Sequence, residues 1–256
     1  MASGRLTELL GRTPIELDRV MAVIASVDDN PPTEDDVVAR IDELAAGVDD
    51  RTVEGVIRHT FGGLGFIGDA SGYYRPRNSY LHLVLERRRG IPLSLAVVAT
   101  EIGRRVDVAL SVVGLPGHVV LGDGPDPTRW FDPFGGGTEL DVDGCRQLFA
   151  RFHPAQMFDP AMLAPLPPAA IALRTLNNLK VAYRRLGLLG PIVRICELSV
   201  AVPGAPVSER LELATVLGAL GRDEQAARQR RLLVDLDPER ADEHRRALRR
   251  HRARRN

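Results

Sequence analysis

The sequence predicts an α+β domain over residues 1–160 and an all-α array over residues 161–256. The first part is indicated by a helix that is apolar nearly all round, followed by short runs rich in Val and Leu. The second part is indicated by a helical pattern that repeats every 34 residues.

Three amphipathic helices are predicted before the first glycine-rich segment. The first spans residues 14–26, and the third spans about residues 51–60. Between them, Thr33 is expected to cap the second helix, with Asp36 in the capping-box position. Residues 62–77 then form a long loop, and an ordered loop of this length inside a compact domain is commonly functional.

Two further helices are predicted on either side of Gly90. Asn78 is a favourable N-cap for the first of them, and Gly90 suits its end. Pro92 fits the first turn of the second helix, because a missing N–H costs nothing there. Since residues 92–102 are apolar on nearly every side, we expect this helix to lie at the centre of the domain.

Short strands and one more helix are predicted after the central helix. The predicted elements are strands over residues 108–114 and 118–122, a third strand over Trp130–Asp132, and a helix over residues 143–152. Pro116 and Gly117 supply the turn between the first two strands.

A proline-rich segment from Pro154 to Pro168 reads as a linker, and the domain boundary is placed there. Beyond it, the pattern is helical and repeats. The repeat matches Leu179, Tyr183 and Gly187 with Leu213, Leu217 and Gly221. This is the period of a tetratricopeptide helix pair. Two units are few for an independent array, so we expect it to pack on the first domain.

Composition and charge narrow the classes of function. The 256 residues contain 34 basic and 34 acidic side chains, and a net charge of zero argues against a general nucleic-acid or membrane binder. The arginines crowded at the end of the chain are Arg245, Arg246, Arg249, Arg250, Arg252, Arg254 and Arg255. They suit a solvated helix end, and they are the one hint of a nucleic-acid contact.

Cys145 and Cys196 are far apart in the sequence, so neither a disulfide framework nor a zinc site is predicted. The six histidines show no ligand spacing, and we expect neither a metal nor a cofactor. The N-terminal residues lack the pattern of a signal peptide, and no apolar run is long enough to span a membrane. A cytoplasmic protein is therefore expected, with its oligomeric state open.

The start of the central helix, His118 and Asp132 follow one another in the order used by papain-like thiol enzymes. Such a site needs a thiolate at a helix N-terminus, where the dipole lowers its pKa. It also needs a His that moves the proton and a polar group that orients the His. His118 and Asp132 can supply the last two, because adjacent antiparallel strands bring side chains face to face.

These residues resemble a known family. The matching runs are Asn78–Leu81, Val84–Arg88, Gly90–Leu95, Gly114–His118 and Asp132–Phe134, with Gly65, Phe66, Gly68, Tyr73 and Tyr74 in the preceding loop. They are similar to the SirB-type bacterial proteins, which carry a transglutaminase-like domain followed by tetratricopeptide-like helices. The resemblance spans about Thr13 to Pro238 and implies a papain-like, transglutaminase-like fold.

The resemblance also places Pro92 where transglutaminase-like enzymes have their nucleophilic cysteine, and proline has no nucleophilic group. His118 and Asp132 match the other two triad positions. Ser94 and Cys145 are the candidates for a replacement nucleophile. Ser94 points about 200° away from position 92 around the helix and otherwise bonds backbone in the first turn. Cys145 otherwise serves as a buried structural thiol.

Other polar and aromatic residues near the motif predict a binding groove. The candidate ligand-binding residues are Tyr73, Tyr74, Asn78, Arg87, Arg88 and Ser94. Helical arrays commonly present a surface to a protein partner, so we expect a non-catalytic regulatory protein that binds a protein or peptide. The alternative is a cryptic hydrolase or acyl transferase that uses Ser94 or Cys145 with His118 and Asp132.

Overall fold

A computed structural model describes residues 2–253, with side chains described through residue 250. Arg254 and Arg255, which belong to the predicted basic end, lie outside the described residues, as does the side chain of Arg252. The basic end therefore stays a prediction for its last residues.

Twelve α-helices and six short strands make up the described part of the chain. The helices are α1 Ala2–Leu10, α2 Leu17–Ile24, α3 Glu34–Ala45, α4 Val53–Ile57, α5 Leu81–Arg87, α6 Pro92–Arg105, α7 Val142–Phe152, α8 Pro168–Arg185, α9 Leu189–Ala201, α10 Val207–Ala219, α11 Asp223–Leu236 and α12 Ala241–Ala253. The strands are β1 Ile67–Gly68, β2 Arg89–Gly90, β3 Ser111–Val113, β4 Val120–Gly122, β5 Trp130–Asp132 and β6 Thr138–Leu140.

Helix α6 is buried along most of its length and starts at Pro92, which confirms the predicted central helix. It packs against α2, α3 and α5 and against strands β3 and β4. The predicted capping box of α3 is also present, because Asp36 N–H donates to Thr33 Oγ1 and Thr33 N–H donates to the Asp36 carboxylate. Helix α1 lies outside the predicted elements, although its Leu6 and Leu9 are buried.

The strands form a four-stranded antiparallel sheet in the order β3-β4-β5-β6, with β1 and β2 paired separately and parallel to one another. Alternation places Val112, Leu121 and Phe131 in the main core, whereas Val113 and Trp130 face α7. Strand β6 was not among the predicted elements, because its Thr-Glu-Leu sequence has no alternating apolar pattern.

Two predicted helix signals between residues 78 and 90 are wrong. Helix α5 begins at Leu81, and Tyr80 occupies the N-cap position instead of Asn78. The helix ends with Arg88 in the left-handed conformation, at φ 54°, so Gly90 is not its terminator. Gly90 instead pairs with Gly68 in the β1–β2 ladder. Tertiary hydrogen bonds of Asn78 override its local capping preference.

The proline-rich segment before α8 is fixed to the sheet, since Leu166 N–H donates to Val112 O at 2.8 Å. One apolar core runs from Leu6 in α1 to Ala226 in α11. This confirms that the helical array packs on the first domain. The boundary near residue 160 stays a prediction.

Helices α8 and α10 end in the same way, 34 residues apart. Gly187 and Gly221 have φ values of 71° and 69°, the left-handed conformation that glycine accepts readily. The N–H of the residue after each glycine donates to a carbonyl in the last turn of the helix. Leu188 N–H donates to Tyr183 O at 3.0 Å, and Arg222 N–H donates to Leu217 O at 2.9 Å. The sequence repeat therefore corresponds to a repeated helix termination.

Lys180, the single lysine of the chain, joins α8 to α10. Its side chain is 2% exposed, and its Nζ donates to Glu209 Oε2 at 2.7 Å and to Glu212 Oε2 at 2.8 Å. The ion pairs compensate the charge of a nearly inaccessible ammonium.

We predict that Lys180→Ala lowers the free energy of unfolding by about 3 kcal/mol, because it leaves two neighbouring carboxylates without their shared cation. Arg40→Ala removes an exposed ion pair with Glu43 and is expected to change the free energy of unfolding by less than about 0.5 kcal/mol. Urea unfolding of both variants measures this, and equal effects of the two substitutions contradict the prediction.

Candidate functional site

The structure brings His118 and Asp132 together. His118 Nε2 lies 2.8 Å from Asp132 Oδ1, so the N–H on Nε2 donates to the carboxylate. Leu121 pairs with Phe131 in the β4–β5 ladder, so continuing the register places Val120 opposite Asp132. His118 lies two residues before Val120, in the turn before β4, and therefore contacts Asp132 diagonally. The backbone of that turn is held by Arg174, whose Nη2 donates to Leu115 O and His118 O.

Burial alone would raise the pKa of Asp132. The hydrogen bond from His118 and the backbone N–H groups of Phe134 and Gly135 outweigh it and hold the pKa below its ordinary value. Asp132 is therefore an ionised acceptor that fixes the ring of His118. The other ring nitrogen, Nδ1, makes no hydrogen bond within the described part of the chain and is not among its fully buried polar atoms.

Pro92 occupies the first position of α6, and Ser94 closes the same turn. Ser94 Oγ lies 2.7 Å from Asn78 O, to which it donates, and accepts the Ile91 N–H at 3.1 Å. A Cβ on Gly90 would stand 2.5 Å from this oxygen, so a side chain at Gly90 has no room. The Ser94 hydroxyl is thus engaged with backbone and is 6% exposed as a residue.

Cys145 lies on the opposite face of the sheet from α6. It is fully buried in the cluster that contains Trp130 and Phe149. Burial, together with the nearby carboxylates of Asp141 and Asp132, raises the pKa of its thiol to about 11. A thiol in this environment is neutral near pH 7 and is a poor nucleophile.

A buried carboxylate, Asp69, organises the loop before α5. Its oxygens accept from Ser71 Oγ, Gly72 N–H and Asn78 Nδ2, at 2.9, 2.9 and 3.1 Å. Arg87 Nη2 donates to the same carboxylate at 3.2 Å. Although burial opposes it, this set of donors lowers the pKa of Asp69 to about 2.

Three of the predicted ligand-binding residues, Asn78, Arg87 and Arg88, are engaged in hydrogen bonds within this part of the protein. Asn78 is fully buried, and its Oδ1 accepts from Arg87 Nη1 at 2.9 Å. Arg88 Nη1 donates to Leu64 O at 2.8 Å. Asp69 is not among the predicted site residues. The sequence feature that could have identified it is the local Asp-x-Ser-Gly pattern, which is typical of an Asx turn.

Five rings, one of them that of His118, form a continuous row beside Asp132. We call them the aromatic strip, which consists in order of Tyr74, Tyr73, Phe134, His118 and Phe152. Successive ring centroids are separated by 5.1, 5.9, 6.3 and 5.9 Å. Phe152 is 51% exposed and Tyr74 is 49% exposed, whereas His118 lies deep between them. Tyr73 and Tyr74 were predicted as ligand-binding residues, and Phe152 was not.

Phe134 lies between the start of α6 and His118. A Cβ on Gly68 would approach its ring to 2.4 Å, and Gly68 pairs with Gly90 just before Pro92. The same ring meets His118 edge to face. Gly68 therefore leaves room for the Phe134 ring to pack against the backbone of the β1–β2 ladder.

A family model of the transglutaminase-like superfamily matches residues 16–177, well over half of the chain. The chain belongs to this superfamily. The transglutaminase-like region contains the His118–Asp132 pair, the whole aromatic strip and Arg174.

Two bacterial relatives are similar to about half of this chain. A UPF0162 protein of Xylella fastidiosa is 39% identical over 133 residues, which are 50% of this chain and 47% of the relative. A UPF0162 protein of Pseudomonas aeruginosa is 34% identical over 151 residues, which are 57% of this chain and 55% of the relative. The chain thus spans about half the length of the relatives it matches.

A crystal structure of menin, described as revealing its binding site for Mixed Lineage Leukemia protein, aligns with 90% of this chain and 68% of menin. The TM-score is 0.42 and the sequence identity is 11%, so this likeness supports no inference. Among the helices of the described residues, none combines the length and apolar character needed to cross a membrane.

We predict that Asp69→Asn lowers the free energy of unfolding of the transglutaminase-like region by about 2 kcal/mol near pH 7. The pKa of Asp69 is about 2 in the folded chain, against an ordinary value of 3.8. The ionised carboxylate therefore stabilises the fold fully above 3.8, and this contribution is lost as the pH falls toward 2.

Urea unfolding of wild type and Asp69→Asn at several pH values measures the difference, which is expected to shrink below about pH 4. Asp242→Asn is the matched control, because the Asp242 side chain is 87% exposed and pairs only at the surface. If the difference in the free energy of unfolding between wild type and Asp69→Asn stays constant down to pH 3, the assigned role of the carboxylate is refuted.

Proposed function

We propose that this transglutaminase-like protein is non-catalytic and uses its retained cleft to bind a peptide segment of a protein partner. The observation that supports this most directly is the aromatic strip around His118, combined with Pro92 at the position of the nucleophile. Neither replacement nucleophile suits the chemistry, since Ser94 is engaged as a cap and Cys145 is buried with a raised pKa.

The strip has the properties of a binding surface. Tyr and Phe rings offer a large contact area with few rotatable bonds, so little conformational entropy is lost when they are covered. Tyr73, Tyr74 and Phe152 expose their rings, while Phe134 and His118 lie at the centre of the row. The Nδ1 atom of His118 remains able to accept a hydrogen bond from a peptide N–H.

In this proposal the predicted ligand-binding residues divide into two groups. Tyr73 and Tyr74 contact the peptide directly. The others, Asn78, Arg87, Arg88 and Ser94, hold the loop and the start of α6 in place through their contacts with Asp69 and backbone carbonyls. His118 and Asp132 act as a positioned hydrogen-bonding pair and not as acid and base.

We further propose that the chain is a SirB-type protein and that α8 to α11 form tetratricopeptide-like units. The matched helix ends at Gly187 and Gly221 support the repeat, and the bacterial relatives are compatible with the family. A cytoplasmic location is supported by Cys145 and Cys196, which are both unpaired and buried.

The second candidate is a cryptic hydrolase or acyl transferase that uses Ser94 or Cys145. The 2.8 Å His118–Asp132 hydrogen bond is the observation in its favour, because this geometry also orients a general base. A substitution at the nucleophile position separates the two candidates.

We predict that native protein shows no His118-dependent labelling by a fluorophosphonate or by iodoacetamide, whereas Pro92→Cys reacts with iodoacetamide at least ~10-fold faster than Cys145. The helix N-terminus lowers the pKa of a thiol at position 92, and His118→Ala in the Pro92→Cys background is expected to slow the reaction. Mass spectrometry of the labelled peptides identifies each site. Labelling of native Ser94 or Cys145 that His118→Ala abolishes would establish the cryptic enzyme instead.

Binding is tested by selecting a displayed library of random dodecapeptides on the native protein. We expect the enriched peptides to lose at least ~5-fold in affinity with Tyr73→Ala, because a stacked ring contributes about 1 kcal/mol or more. Leu232→Ala is the matched control, since Leu232 is 48% exposed on α11 outside the strip. Enriched peptides that bind wild type and Tyr73→Ala equally well would overturn a peptide site at this cleft.

A further inference from the structure

One face of α8 runs along the aromatic strip and has an arginine at each end. Arg174, Asn178, Val181 and Arg185 follow one another at helical spacing, so they lie on one stripe. Arg174 contacts the carbonyl of His118, and the Arg185 guanidinium lies 3.7 Å from the centre of the Tyr74 ring. The two arginines therefore flank the rings, about 16 Å apart along the helix axis.

Arg174 is a fixed cation without a counter-ion. Within the described part of the chain, no carboxylate lies within ion-pair distance of it, and burial lowers its pKa. Its Nη2 is held by Leu115 O and His118 O, at 3.1 and 2.6 Å. The Nε and Nη1 atoms make no such bonds and are not among the fully buried polar atoms, so they remain accessible.

Arg185 also lacks an acidic partner among the described residues. Its guanidinium is exposed and stacks on Tyr74, which orients it beside the strip. The other cations of α8 differ: Lys180 bonds Glu209 and Glu212, and Arg184 pairs with Glu212. The array thus neutralises the α8 cations that face α10 and leaves those beside the strip unpaired.

The carboxylates on the segments that form the strip do not compensate these two cations. Asp69 is bound within its loop, and Asp132 is bonded to His118. Asp159, after α7, accepts the Ala161 N–H and caps a short turn. The accessible charge beside the rings is therefore positive, and an anionic partner is electrostatically complementary to it.

We infer that the peptide bound by the cleft is extended and acidic, with two carboxylates about five residues apart and a proline or aromatic side chain between them. The spacing is derived from the axial separation of about 16 Å between the two positions on α8, because an extended chain rises about 3.3 Å per residue. The central side chain stacks on Tyr73 and Phe134, and the carboxylates meet Arg174 and Arg185. This inference rests on the proposed function and specifies its ligand.

A peptide is favoured over a single-stranded nucleic acid, which also combines stacking with positive charge. A nucleic acid has a phosphate on every nucleotide and needs a continuous basic track, whereas the face of α8 along the strip carries two unpaired arginines three helical turns apart, in a chain of zero net charge. Two separated cations fit two carboxylates better than a run of phosphates.

The experiment uses three pools of synthetic hexapeptides, random at the four inner positions and carrying Glu, Gln or Lys at both ends. Immobilised full-length protein retains peptides that are then quantified by mass spectrometry. We expect the Glu pool to be retained at least ~10-fold more than the Gln pool, with retention falling as salt rises. Proline and aromatic residues should be enriched at the inner positions.

Arg185→Ala and Arg174→Ala are each expected to reduce retention of the Glu pool ~10-fold, as loss of one charge-assisted contact predicts. Arg231→Ala is the matched control, because it removes an exposed arginine from α11. Arg185 is itself exposed, so its variant keeps the test valid even where Arg174→Ala impairs folding.

Equal retention of the three pools, or an Arg185→Ala variant that retains the Glu pool like Arg231→Ala, overturns the acidic specificity. Tighter binding of a thymidine dodecanucleotide than of the Glu pool overturns the peptide class. Retention of no pool also refutes the inference, and the outcome of the random-library selection then decides the proposed function separately.

Discussion

Burial of α6 on nearly every side fixes the position of its first turn, and the surrounding structure is arranged around that turn. Ser94 closes it by bonding Asn78 O and Ile91 N–H, and Gly90 leaves space for the hydroxyl. Asn78 is held in turn by Asp69 and Arg87. A chain of buried hydrogen bonds therefore connects the central helix to the loop that carries Tyr73 and Tyr74.

The same constraint orders the surroundings of the His118–Asp132 pair. Pro92 stands at the first position of this helix and is buried. Phe134 packs against Gly68 beside that turn and contacts His118, whose other partner is Asp132. Apolar packing and one ionised carboxylate thus position the imidazole without a thiol.

Helix α8 links the cleft to the helical array. Its inner residues join the common core, and Lys180 ties it to α10 through two carboxylates. Its other stripe brings Arg174 to the carbonyl of His118 and Arg185 to the ring of Tyr74. The same helix therefore contacts both parts of the chain.

Local patterns in the sequence determined the buried helix α6, the capping box at Thr33, the sheet strand of Asp132 and the repeated helix ends. These depend on periodicity and on glycine or proline conformations, which neighbouring residues set. Tertiary structure alone decided that Asn78 binds Asp69 instead of capping α5, and that Phe152 and Arg185 join the cleft. The contacts of Phe152 and Arg185 link residues far apart in the chain, and the buried hydrogen bonds of Asn78 outweigh the small local preference that a sequence pattern reports.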